Sequence, residues 1–250
     1  MSRVRAVVAA VVLVSAVAGC GAGDPVDAKP PAGRPTADAP SAAPSSAASA
    51  VADVENEKPS PAGKLGADPG TRYRAIAVPA LEGQVCDEGD GGFHYGSDLD
   101  MIVSGDDDLK RIEGDSQDLA DEVSCFGSPR NVLRMGSMSA TTPTFTARTT
   151  LYEQVADPVA ALNRIFDASV ELATGYGRDF NGEAKVVTSD TLVVKCRQNV
   201  TNTFPMTTCF WANYGAAGVV DFFPANGEQY VPIDSAVPWT QDFVAGALRA

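Results

Sequence analysis

Large apolar side chains are spread unevenly along this chain of 250 residues. Residues 6–18 are an uncharged apolar run behind the basic start Met-Ser-Arg-Val-Arg, while residues 21–70 hold hardly one large apolar side chain. Both tryptophans and every Tyr and Phe fall within 71–250. Only that last stretch has the content to build a core, and its length suits one domain.

Within it, "RYRAIAVPAL" (72–81) alternates as a first strand closed by Pro79, and "LDMIVSG" reads as a second. Between them lies the glycine-rich acidic loop "VCDEGDGGFHYGSDLD". The next segment mixes charges without a clean period, and a short helix is expected over 118–125, stopped by Gly127 and Pro129. "NVLRMGSM" and "TFTARTTLYE" are strand-like, the second through its β-branched and aromatic content.

The clearest helix begins where Asp157 precedes Pro158. Asp caps a helix by accepting a free backbone N–H, and Pro at the first position has no N–H to lose. Val159, Leu162, Ile165, Phe166, Ser169, Val170 and Ala173 then share one face, and Gly175 and Gly177 end the helix. "AKVVTSDTLVVKCRQ" gives one or two strands, and "MTTCFWANYGAAGVVDFF" two more around a turn at Gly215. In "PWTQDFVAGALRA", Phe243, Val244, Ala247 and Leu248 predict a last short helix. Strands and helices do not alternate regularly. The expected class is α+β: a mainly antiparallel sheet with one long helix and one or two short ones, braced by disulfides.

The basic start, short apolar run and small residues before Cys20 have the layout of an export signal, too short to span a bilayer. Val17-Ala18-Gly19-Cys20 resembles the lipobox of bacterial lipoproteins. The resemblance implies that residues 1–19 are removed and that Cys20, now first, carries the acyl chains of a lipid such as palmitate. Two or more such chains hold a protein on a membrane. The competing expectation is an ordinary secretory signal cut after Ala16-Val-Ala18. Residues 20–70, rich in Ala, Pro and Ser, then form a disordered tether, read as a plain spacer rather than a glycosylated stalk. Residues 71–250 form the single domain, on the extracytoplasmic face of the cell membrane.

Cysteine parity fits this division. Assigning Cys20 to lipid leaves Cys86, Cys125, Cys196 and Cys209, an even set for an oxidising exterior. Four cysteines allow three pairings. Cys196 and Cys209 sit on consecutive apolar strands joined by a polar segment, which predicts a cross-strand bridge; Cys86 and Cys125 pair by elimination. Zinc is the competing use of four thiolates, and the lack of any C-x-x-C pair speaks against it.

A second resemblance rests on the helix "DPVAALNRIFDASVELA", then "VVKCRQ" and "TCFWANYGAAGVVDFF". Residues 157–223 resemble uncharacterised exported proteins of high-GC actinobacteria, with a strand cysteine and a C-x-W-A segment running into G-V-V. This chain has Asn213 and Tyr214 where that pattern leads one to expect an acidic residue. The resemblance implies no established activity.

Charge narrows the partners. The whole chain has a formal net charge of −13, and 25 acidic against 13 basic residues fall within 71–250. Such a field repels nucleic acid and anionic headgroups. No nucleophile, zinc-protease or phosphate-loop motif is present, and the lone histidine, His94, sits in the glycine-rich loop without a marked serine partner. No catalytic residue and no cofactor are assigned. Asp87, Asp90, Asp98 and Asp100, with Glu88 and the run Asp106 to Asp108, are weak calcium candidates, because they lack the spacing of a calcium loop. Phe210, Trp211, Tyr214, Phe222 and Phe223 are expected mainly in the core, with an exposed aromatic strip as the alternative.

The sequence therefore predicts a lipid-anchored, non-enzymatic module that binds an envelope protein or a small ligand. The alternatives are a hydrolase of envelope polymers using paired carboxylates and a calcium-stabilised structural domain.

Overall fold

The computed structural model describes residues 63–91, 108–112, 121–135, 138–200, 205–227 and 229–250. Cys20 with its signal, most of the expected tether, the "LDMIVSG" strand, His94, Asp98, Asp100, Asp106 and Asp107 lie outside the described residues.

Among the described residues six strands, β1 (Ala75–Ile76), β2 (Gln84–Glu88), β3 (Asp121–Gly127), β4 (Asn131–Met135), β5 (Met138–Thr142) and β6 (Phe145–Leu151), precede α1 (Pro158–Gly175). Then come β7 (Asp179–Thr188), β8 (Val193–Val200), β9 (Pro205–Ala212), β10 (Ala216–Phe222), α2 (Ile233–Ala247) and β11 (Leu248–Arg249). Seven strands form one antiparallel sheet in the order β2-β3-β6-β10-β9-β8-β7. β4 and β5 form a separate hairpin, and β1 pairs with β11. The α+β class, the mainly antiparallel sheet and the longer first helix are as the sequence predicts.

The two helices cover opposite faces of the same strands, β8 and β9. Successive strand residues point to opposite faces, so Cys209 and Trp211 meet Phe243, Val244 and Ala247 of α2. Phe210 and Ala212 meet Leu162, Ile165 and Phe166 of α1. This explains why "CFWA" and "AAGVV" read as continuous apolar runs: β9 and β10 are buried on both sides. Full burial of a Val or Phe side chain in these strands contributes about 1.5–3 kcal/mol.

α1 starts as its sequence dictates. The Asp157 carboxylate accepts the Ala160 N–H at 3.0 Å, and Pro158 opens the helix. Tyr176 closes it, followed by Gly177 at φ 85°, a left-handed conformation that favours glycine. One residue departs from the expected face: Val159 is 40% exposed, and Ala161 is buried in its place. Lys195 on β8 ties the sheet to this helix, its ammonium 4.1 Å above the Phe166 ring and bonded to Asn163.

Three further expectations need correction. The helix expected over 118–125 is not found in its described part: residues from Asp121 onward form β3, between β2 and β6. Val123 and Cys125 face the α2 side while Glu122 reaches Arg148 of β6, a partnership that only a strand provides. α2 begins at Ile233, before the expected segment, and carries Pro238 inside it. Its Asp234 stands in the first turn, where the helix dipole favours a carboxylate, and pairs with Lys185 of β7. Leu248 is not helical either, since it pairs with Ile76 as part of β11.

The chain lies against the domain earlier than the expected boundary at 70. Gly66 donates to the Asp190 carbonyl and accepts from the Tyr214 hydroxyl. Asp68 then pairs with Arg72 at 2.8 Å, and this hydrogen bond, with one from the Gly70 N–H, holds the Asp68 carboxyl below its ordinary value.

Candidate functional site

Both predicted bridges are present. Cys196 and Cys209 face each other across β8 and β9, and Cys86 and Cys125 across β2 and β3. Both lie on the α2 face of the sheet, as the alternation of each strand requires. The second bridge fastens the edge strand β2, whose burial is only partial, to the fully buried Cys125.

Of the calcium candidates, Asp87 is exposed on β2 and Asp90 follows the strand in a bend. Among the described residues no three His, Cys, Asp or Glu side chains come together as metal ligands. The aromatic residues of the last hairpin are core: Phe210, Trp211, Phe222 and Phe223 are buried, and Tyr214 is half-buried. Asn213 has a local task in the turn between β9 and β10. Its Oδ1 accepts the Gly215 and Ala216 N–H groups at 2.9 and 2.8 Å, and its amide donates to the Tyr73 hydroxyl. An acidic residue could accept the same two N–H groups, and the bond to Tyr73 would then run the other way, from the hydroxyl to the carboxylate.

On the α1 face a polar chain crosses the sheet. Arg178, 1% exposed, donates to Asn199 Oδ1 at 3.1 Å; Asn199 donates to the Thr208 hydroxyl at 2.9 Å, which donates to the Asp221 carboxylate. Each group has a fixed direction of donation, so the chain orients itself. It is closed to solvent and braces the fold rather than reaching a ligand.

An open concavity lies on the other face, between the start of β2 and α2. It is a cleft of about 510 Å³, within the range of small-molecule sites. A turn builds one wall: the Gln84 N–H donates to the Leu81 carbonyl, and Gly83, at φ 71°, makes the turn that presents Glu82. α2 builds the other, with Trp239 and Asp242 one turn apart and Ala245 a turn further on. Phe145 of β6, fully buried, supports both. Trp239 packs edgewise on Phe145 and Phe222, at 6.3 and 6.4 Å between centroids, yet remains 39% exposed. The side-chain oxygen Oε1 of Gln84 is buried at the wall with no hydrogen-bond donor.

Comparison with protein families, curated proteins and solved structures finds no match to this chain. The cleft must therefore be judged on its chemistry. It offers an aromatic surface and two carboxylates from different elements. The sequence singled out none of Trp239, Glu82 or Asp242. One signal pointed there: Trp239 precedes Phe243 by four on the amphipathic C-terminal segment, and that spacing sets it at the rim of the same helix face.

Proposed function

We propose that this protein is a lipid-anchored, extracytoplasmic binding module of the cell envelope, and that its cleft beside Trp239 is where a small ligand is held. The observation that carries the binding role is the concave site itself: a large aromatic side chain left 39% exposed beside polar groups and a rigid apolar support. An aromatic face with a few convergent polar groups in a concavity is the usual make-up of a small-ligand site. Two disulfides suit an oxidising exterior. The lipid anchor rests on Val17-Ala18-Gly19-Cys20 and the apolar run before it.

The test is a fragment screen read by NMR at the Trp239 indole, repeated on Ala245→Phe, which fills the cleft. Fragments that shift the indole signal and lose that effect in Ala245→Phe support the reading. Fragments that bind only elsewhere defeat it. The anchor is tested separately by fractionating cells that express Cys20→Ala. Release of the protein from membranes is expected, and retention would sink the lipid assignment.

Glu82 and Asp242 on one cleft also favour a second reading, hydrolysis of an envelope polymer by paired carboxylates. Its signature is new reducing ends from purified envelope polysaccharide, lost in both Glu82→Gln and Asp242→Asn.

A further inference from the structure

We infer that the cleft selects a small organic cation, an ammonium or guanidinium group on an apolar frame; this rests on the reading of the cleft as a ligand site. Three observations agree on the sign of the charge. Glu82 and Asp242 reach the cleft from the turn after β1 and from α2, and no Lys, Arg or His lines it among the described residues. Neither carboxylate takes part in an ion pair among the described residues, unlike Asp234, which Lys185 neutralises. Trp239 supplies the π surface most favourable to a cation.

Other ligand classes fit less well. An anion would meet two carboxylates and no compensating positive side chain. A divalent metal wants six or more oxygen ligands or a compact set of three or four, and no such set is present among the described residues. A polyhydroxylated ligand needs donors as often as acceptors, and the Trp239 indole N–H and the Gln84 amide are the only side-chain donors in the wall. The acidic chain as a whole, net −13, raises the local concentration of cations around the domain.

The experiment compares three probes of one shape and different charge, 2-phenylethylammonium, 2-phenylethanol and 3-phenylpropionate, on the full chain in detergent micelles. Binding is read from the two tryptophan indole NMR signals, assigned with Trp239→Phe. The ammonium probe is expected to shift the Trp239 signal saturably and to leave buried Trp211 unmoved. Glu82→Gln and Asp242→Asn should each weaken it roughly five- to tenfold. Both residues are exposed, so an unchanged melting temperature shows that the variants keep the fold. If the neutral or anionic probe binds as tightly as the ammonium, the charge preference is wrong while the cleft stands as a ligand site. If no probe moves the Trp239 signal, both fail.

Discussion

Gly218 lies directly opposite Trp211 across β9 and β10, and a Cβ at Gly218 would stand 2.7 Å from the indole ring and 2.4 Å from the Arg148 carbonyl oxygen. The bare backbone of Gly218 is the surface on which the largest core side chain lies. Gly218→Ala is therefore expected to destabilise the domain by about 1–3 kcal/mol, as overpacking of a filled core does. Urea unfolding checks this, and a change within a few tenths of a kcal/mol would show that the indole can move aside.

The two bridges should differ in weight. Cys196 and Cys209 are 13 residues apart, and Cys86 and Cys125 are 39 apart. On the chain-entropy argument their loops are worth about 3 and about 4 kcal/mol. Removing the pair Cys86 and Cys125 should thus lower the melting temperature more than removing Cys196 and Cys209 if loop entropy dominates. The second pair is wholly buried beneath α2, so its loss also opens a cavity. Replacing each pair by Ala, with thermal unfolding as the readout, separates these effects. A larger loss for Cys196 and Cys209 would mean that packing outweighs loop length.

The buried chain from Arg178 to Asp221 makes a sharper demand. Asn199 both accepts from Arg178 and donates to Thr208, and a Leu there leaves each of them short of a partner in a dry interior. Asn199→Leu should cost about 2–4 kcal/mol, since unsatisfied buried groups carry their full desolvation penalty. Asp221→Asn keeps an oxygen for the Thr208 hydroxyl and should cost less. Urea unfolding of both variants decides it, and equal losses would mean that the charge of Asp221, rather than the geometry of the chain, is what matters.

How much of this was legible in the sequence depended on how local its cause is. α1 was readable because Asp157, Pro158 and the apolar spacing act within a few residues of one another. The bridge Cys196 to Cys209 was readable because its two strands are consecutive. β3 was misread because what makes it a strand lies far off: Cys86 on one side and Arg148 on the other. Val159 was misplaced because period alone does not say where the apolar stripe of α1 ends. Of the cleft only Trp239 left a trace, through its spacing from Phe243; Glu82 and Asp242 come to one cleft only in the folded chain. Arg178 gave no signal either, for nothing in a lone arginine after Gly177 announces that it will be buried.

The short pairing of β1 with β11 ties the two ends of the folded part together. β1 and β11 bring Ala75 opposite Arg249, and Arg74 donates to the Arg249 carbonyl at 2.8 Å. The polypeptide that leads into the large sheet and the polypeptide that leaves α2 thus run side by side, and the course from residue 74 to residue 249 is nearly a closed ring. Which point of such a ring is cut matters little to its packing, so the order of its elements could be permuted around it while every neighbour stayed the same.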